Sequence, residues 1–270
     1  MVVFPPCKIN LGLNIVAKRA DGYHDIDTCF YPVPWTDLLE ILPAQELKME
    51  TSGISIPGSA EENICLNAYH LLARNYKIPP VQIYLHKLIP IGAGLGGGSA
   101  DGAYALKAMS SLFDLHLSSE QLKVYAAQLG SDCAFFIETT PALGTGRGEV
   151  LTPISIDLGG KFLVLIKPDI HVSTAEAYAN VTPGTWSSPL QKIVGKEIDE
   201  WKNQLKNDFE ESVFEKYPVI KKIKDKMYES GARYASMSGS GATVFGIFES
   251  EIDPAGIYAD PKVTCWSGWV

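Results

Sequence analysis

The five cysteines, Cys7, Cys29, Cys65, Cys133 and Cys265, are odd in number, and no two stand at C-x-x-C spacing. That removes the usual zinc knuckle and the dithiol redox motif, and it fits thiols kept reduced. The sequence is also short of positive charge. With a net charge of −8 and no basic run long enough to follow a phosphate backbone, neither nucleic acid nor an anionic membrane is an expected partner. No apolar stretch approaches the ~20 residues of a spanning helix, and no leader segment opens the chain, so the expected location is cytoplasmic. Internal repeats and low-complexity segments are missing too. What is present is a chain of 270 residues, 46% of them hydrophobic, enough to bury one large core or two ordinary ones.

The hydrophobic pattern mixes the two periods. From Lys8 to Ala17, Ile9, Leu11, Leu13, Ile15 and Ala17 alternate with Lys8, Asn10, Gly12 and Asn14, which predicts a half-buried strand with Lys8 and Asn10 side by side on its less apolar face. Segments 26–31, 37–43 and 46–51 read as further strands, giving an antiparallel meander. Ile64, Ala68, Leu71 and Leu72 carry helical spacing, and Val81, Ile83 and Leu85 alternate again. A helix is expected from about Ala100 to Phe113 and another over about 119–129, opened by capping-box spacing at Ser118–Gln121 and stopped at Gly130. After a glycine-rich stretch at 140–153 the pattern gives a strand at 161–167, a short helix capped near Ser173, helices across about 189–230, and strands at about 232–237 and 242–248. The class is α+β in two parts, 1–152 and 153–270.

The strongest local signal is Pro90-Ile91-Gly92-Ala93-Gly94-Leu95-Gly96-Gly97-Gly98-Ser99. Five glycines in seven positions let consecutive backbone N–H groups curl around an anion. The loop runs into a helix N-terminus at Ala100, where unpaired amides and the helix dipole also favour phosphate. Ser99 is placed to cap that helix or to reach a phosphate. Gly92-x-Gly94-x-x-Gly97 matches the dinucleotide fingerprint, but here the helix leads to a second helix and not to the strand of a βαβ unit. The only Gly-Lys pairs, at 160–161 and 195–196, precede Phe162 and Glu197, so no Walker A loop exists. His-Arg-Asp and Asp-Phe-Gly are absent as well.

A further class of glycine-rich nucleotide loop remains, and the chain resembles it. The loop is similar to the phosphate motif of the GHMP kinases, the superfamily of galactokinase, homoserine kinase and mevalonate kinase. Ser238-Gly-Ser-Gly-Ala-Thr-Val-Phe is similar to that superfamily's third motif. Lys8-Ile-Asn10-Leu, Lys18-Arg-x-Asp21-Gly22-Tyr23-His24 with Thr28, and Gly130-Ser131-Asp132-Cys-Ala-Phe-Phe narrow the resemblance to the branch that phosphorylates a cytidine diphosphate-linked polyol. With Gly144-x-Gly146-x-Gly148 and Asn207-Asp-Phe-Glu210, the resemblance runs from near residue 5 to about 248. It implies an N-terminal domain of the ribosomal-protein-S5 type, a ferredoxin-like C-terminal domain, and ATP and the polyol meeting between them. Magnesium would arrive mainly on the nucleotide, and the protein would be a monomer or weak homodimer.

The resemblance also implies roles. ATP would be held by Pro90, Gly92, Ala93, Gly94, Leu95, Gly96, Gly97, Gly98, Ser99 and Ala100. Asp132 would be the general base, its pKa lifted by an apolar wall; from residue type alone it is equally a helix cap. Lys8, by itself an ordinary strand lysine, would orient that base and stabilise developing negative charge. Tyr23 and His24, otherwise a surface turn, would stack on and hydrogen-bond a cytosine, with Tyr178 on the base's other face and Asn10 on the same substrate. Gly239 and Ser240 would form a wall of the site or a plain hairpin turn. Asn63 reads as a cap and Glu210 as structural.

Two features depart from the family pattern: Ser-Ala-Asp at 99–101, and a short tail after Glu249 containing Pro254 and Gly256. Three competitors stand beside this reading. A homoserine- or mevalonate-type kinase would need a basic residue for its substrate carboxylate. A nicotinamide-dependent oxidoreductase would need the missing second strand. A silent nucleotide-binding protein is opposed by the presence of both Lys8 and Asp132.

Overall fold

The computed structural model describes residues 1–179, 181–184, 186 and 188–270, with Ala60 described by its backbone alone. Among the described residues there are three four-stranded sheets, and the chain divides into two compact units. The first contains Met1–Cys7, Trp35–Ile91 and Gly96–Thr140; the second contains Lys8–Pro34, Gly92–Leu95 and Pro141–Val270. Neither unit is a continuous stretch, whereas the sequence suggested one boundary at 152/153. Strand pairing explains the interleaving: Thr28–Phe30 bonds to Ala142–Gly144, which draws residues 8–34 into company with the later part of the chain.

The first unit carries the sheet Val2–Val3, Leu38–Pro43, Val81–Lys87 and Lys48–Gly53, in that order. The expected strands exist, but they do not form the expected meander. Leu38–Pro43 is antiparallel to Val81–Lys87, and Lys48–Gly53 joins the other side of that strand in parallel. Alternation identifies a strand; its neighbour is decided by contacts distant in sequence. Val81, Ile83, Leu85 and Lys87 all point inward and are buried.

Helices Ile64–Ala73, Gly97–Leu112 and Ser119–Leu129 belong to the same unit. The Asn63 side chain caps the first by accepting from the Cys65 amide at 2.9 Å. Ser118 and Gln121 form the predicted capping box on the third. Gly102 permits close helix packing, because a Cβ there would lie 2.7 Å from Ile64 Cγ1.

In the second unit one sheet runs Pro6–Lys18, His24–Thr36, Ala142–Thr145, Val150–Pro153. The other is fully antiparallel, in the order Tyr234–Met237, Val244–Phe248, Phe162–Lys167, Thr264–Trp269. The tail after Glu249 therefore supplies a short helix, Pro254–Ile257, and an edge strand. The alternating burial of Thr264–Trp269 fits an edge strand with one face inward. Helix Pro218–Glu229 buries Ile220, Ile223 and Met227, spaced i, i+3, i+7, in a core shared with Val164, Ile166 and Val244.

Ile220 is fully buried in that core. Ile220→Ala is expected to destabilise the protein by roughly 2–5 kcal/mol through lost transfer energy and a residual cavity. Urea unfolding should show a lower midpoint at unchanged slope.

Candidate functional site

The glycine loop is ordered by steric necessity. Gly92, Gly94 and Gly96 all have positive φ, at 60°, 77° and 69°, a region that L side chains avoid. At Gly94 a Cβ would also lie 2.0 Å from the Ser238 carbonyl oxygen, so no other residue fits. Ser238 Oγ donates to the Gly94 carbonyl at 2.8 Å, the Lys8 amide donates to the Leu95 carbonyl at 2.9 Å, and the Thr243 amide donates to the Ala93 carbonyl at 3.3 Å. Pro90, Ala93 and Leu95 are buried.

The helix after the loop begins earlier than the sequence suggested. It starts at Gly97, with left-handed Gly96 as N-cap, and not at about Ala100. Three consecutive glycines made a helical start illegible, since glycine has low helix propensity. As a result Gly97, Gly98 and Ser99 form the first turn, while the Ala100 amide is already bonded to the Gly96 carbonyl at 2.9 Å. The amides of residues 97–99 therefore head the helix and have no intrahelical carbonyl to bond. The free donors of the first turn are thus those of residues 97–99, and Ala100 is buried.

Lys8 is not a solvated strand lysine. Its side chain is 3% exposed, its ammonium donates to Asn10 Oδ1 at 2.7 Å and to the Gly94 carbonyl at 3.0 Å, and it stands 5.5 Å from the centre of the Phe30 ring. Asn10 Nδ2 donates onward to Thr28 Oγ1 at 2.8 Å, and Thr28 donates to the Gly12 carbonyl at 2.6 Å. This buried chain fixes the Lys8 head group against the loop backbone. Asn207 plays a matching part for the second glycine turn: its Nδ2 donates to the carbonyls of Met237 and Gly239, each at 2.8 Å. Glu210 Oε1 accepts from the Met237 amide at 2.8 Å and is structural, as expected. Gly239 is buried and Ser240 half-buried in the turn joining Tyr234–Met237 to Val244–Phe248.

Asp132 lies in the first unit, half-buried, in a turn between helices Ser119–Leu129 and Phe135–Glu138. The N-cap position of the latter helix is Ala134, two residues after Asp132. Next to it, burial pushes the Cys133 thiol up to about 12, far from a thiolate nucleophile.

Tyr23 and His24 occupy the turn at the head of strand His24–Thr36. Arg19 bridges Asp21 at 3.1 Å and Asp25 at 2.8 Å, and the Tyr23 amide followed by Arg19 holds the Asp21 carboxyl below its usual value. Tyr23 is 56% exposed, with the Arg147 guanidinium 4.9 Å from its ring centre. The His24 ring stacks on Tyr178 at 4.6 Å with an interplanar angle of 17°. His24 and Tyr178, far apart in sequence, thus share one aromatic surface.

The sequence pointed to none of three buried charges in the first unit. Lys87 is 2% exposed and bonds Asp37 at 2.5 Å and Asp101 at 2.7 Å. Asp37 also accepts the amides of Leu88 and Ile89, whereas Asp101 Oδ1 has no partner. Burial, only partly countered by Lys87, pushes the Asp101 carboxyl up to about 7. Burial pulls the Lys87 ammonium down, but the two carboxylates outweigh it and hold it above its ordinary value. The neighbouring Asp37 carboxylate adds to the rise at Asp101. The signal was there: Lys87 follows Val81, Ile83 and Leu85 on the inward face of one strand.

Two family profiles match the chain: the GHMP kinases N terminal domain over residues 63–139, and the GHMP kinases C terminal region over residues 190–260. A 4-diphosphocytidyl-2-C-methyl-D-erythritol kinase from Cytophaga hutchinsonii is 52% identical over 252 residues, spanning 93% of each chain. The enzyme of that name from Bacteroides fragilis is 50% identical over 255 residues, again spanning 93% of each. A crystal structure of 4-(cytidine 5'-diphospho)-2C-methyl-D-erythritol kinase superposes with a TM-score of 0.84 at 31% identity, covering 99% of this chain and 98% of the other. A homoserine kinase structure from Cytophaga hutchinsonii reaches 0.70 at 15% identity, covering 98% and 94%, which is a likeness of fold alone.

Asp101 supplies a pH test. Its folded-state pKa lies above the ordinary 3.8, so the folded chain binds this proton more tightly than the unfolded chain, and its contribution to stability falls as pH rises from 3.8 to about 7. Asp101→Asn is expected to flatten that decline. Urea unfolding at about pH 5 and about pH 8 should show a smaller loss of stability in the variant than in the wild type.

Proposed function

Because the chain belongs to the GHMP kinases, and within them to the 4-diphosphocytidyl-2-C-methyl-D-erythritol kinase family, we propose that it transfers the terminal phosphate of ATP to the 2-hydroxyl of 4-diphosphocytidyl-2-C-methyl-D-erythritol. The reaction belongs to the non-mevalonate route to isoprenoid precursors. The observation that carries this reading is the Lys8 ammonium, buried and bonded to the backbone of the very loop assigned to the ATP phosphates. GHMP kinases are ATP-dependent, and magnesium would come in with the nucleotide and supply positive charge to its phosphates. The fold is the α+β GHMP kinase fold. The functional division at 152/153 belongs to the same proposal, with loop and base before it and the Ser238–Gly241 turn after it.

In this reading the amides of Gly97, Gly98 and Ser99, with those of the glycine loop, receive the phosphates at the helix N-terminus. Asp132 takes the proton from the attacking hydroxyl. Lys8 stabilises the negative charge that develops on the transferring group, its position fixed by Asn10 and the Gly94 carbonyl. Phosphoryl transfer needs little more from a protein than alignment and charge neutralisation. Tyr23 and Tyr178 hold the cytosine between their rings. His24, stacked on Tyr178, is assigned the hydrogen bond to the ring edge.

Among the described residues no helix is long and apolar enough to cross a membrane. The partners in this reading are small molecules, ATP and the polyol, with the chain acting as a monomer or weak homodimer in the cytoplasm.

ADP release with Mg-ATP tests the proposal. Turnover is expected with the cytidine diphosphate polyol and not with homoserine, mevalonate or no second substrate; a uridine analogue should be a poor substrate. Equal turnover with homoserine or mevalonate would move the chain to another GHMP activity. A second measurement addresses the residues. Lys8→Ala and Asp132→Ala should each lower kcat by roughly 10²–10⁴-fold, the range for a positioned acid–base or charge-stabilising group, while ATP still binds. Unchanged kcat in both would remove these two assignments.

A further inference from the structure

Lys87 is the last residue of strand Val81–Lys87, and the glycine loop begins three residues later. Its ammonium lies between Asp37 Oδ2 and Asp101 Oδ2 at 2.5 and 2.7 Å. The side-chain bonds of these three groups reach the chain on both sides of the loop. Asp37 Oδ1 accepts the amides of Leu88, at 2.6 Å, and Ile89, at 2.8 Å, the residues by which the chain enters the loop. Asp101 sits in the helix by which the chain leaves it. Entry and exit also touch directly: a Cβ on Gly97 would stand 2.8 Å from Ile89 Cγ2 and 3.1 Å from Lys87 Nζ. Gly97 is the first residue of the phosphate-facing turn, so that turn rests on the strand end and on the Lys87 head group.

Stability does not account for such a cluster. A buried ion pair or triad can often be replaced by apolar groups at no loss, because desolvating the charges offsets their attraction. What it supplies is direction: an ammonium bonded to two carboxylates and carboxylates bonded to specific amides allow one arrangement where methyl groups would allow several. Asp101 Oδ1 is buried without a partner, a burden that an apolar side chain would not impose. The feature kept at that expense is the fixed span between strand end and helix start.

We propose that Lys87, Asp37 and Asp101 are positioning residues for phosphoryl transfer, a buried clamp that ties both ends of the glycine loop and holds the Gly97–Ser99 amides aimed before the nucleotide arrives. The inference rests on the assignment of that loop to ATP. Amides held in place in advance bind phosphate without the ordering entropy that a loose loop would lose. The clamp makes a distinctive forecast for Asp101. Were the cluster acting only through its electric field, removing an anion behind a phosphate site would tighten ATP. A clamp requires the opposite sign, because the tie to the helix is cut.

The experiment measures affinity for ATP, ADP and adenosine in the full-length protein, beside Lys87→Met, Asp101→Ala and Asp101→Asn, with a melting curve for each. Expected are losses of about tenfold for ATP and ADP in Lys87→Met and Asp101→Ala, with adenosine within about twofold of wild type, since adenosine carries no phosphate. Asp101→Asn keeps an acceptor for Lys87 and should recover much of the loss. Tighter or unchanged ATP binding in Asp101→Ala would overturn the clamp. So would equal losses for ATP and adenosine in a variant with a lowered melting temperature, which is the signature of a purely structural role. Should Lys87→Met fail to fold, the two Asp101 variants decide the matter. A wild-type protein that does not bind ATP would remove the kinase reading itself; wild-type binding with indifferent variants would remove only the clamp.

Discussion

A lysine ammonium taken out of water must be met by acceptors or it will not stay charged. Lys8 and Lys87, each almost wholly buried in its own unit, impose that requirement on the residues around the glycine loop. Lys8 is met by Asn10 and by the Gly94 carbonyl, and Asn10 in turn engages Thr28. Lys87 is met by Asp37 and Asp101. Each cation thereby fixes a set of polar neighbours whose other atoms bind backbone, and in each case that backbone belongs to the loop or to the strand and helix joined to it. Lys8 is bonded to the loop itself at Gly94, and Lys87 to a residue of the helix that follows it.

Backbone contact supplies the second constraint. Gly94 lies so close to the Ser238 carbonyl that a Cβ has no room, and Gly239 in the second glycine turn would place its Cβ 3.2 Å from the Gly94 carbonyl oxygen. Two glycine turns, 144 residues apart for the Gly94–Ser238 bond, pack main chain against main chain. Asn207 and Glu210 hold the strand end and turn that include Ser238 by bonding Met237 and Gly239.

Much of the fold was legible in local pattern. The strand over Lys8–Ala17, the capping box at Ser118 and the Asn63 cap each involve residues within a few positions of one another and stand where the pattern put them. The strand, however, is buried on both faces through Ile15 and not half-buried. The first turn at Gly97–Ser99 was not legible, because three glycines carry no helical signal and the turn is held by contacts with Ile89 and Lys87. The edge strand Thr264–Trp269 was missed because it pairs with Phe162–Lys167, about a hundred residues away. The interleaving of the two compact units rests on pairings as distant, such as Thr28–Phe30 with Ala142–Gly144.

The candidate site divides along the same line. The sequence alone determined the glycine loop, the family, and the residue types available for base, cation and aromatic contacts, because these are properties of composition at fixed spacing. Only the tertiary structure decided that Lys8 is buried and bonded to the loop, that His24 lies on Tyr178, and that Lys87 gathers Asp37 and Asp101. Those facts join residues separated by 14 to 154 positions (87 to 101, and 24 to 178). Their cause is the burial of charge and ring surface against partners that no local window contains.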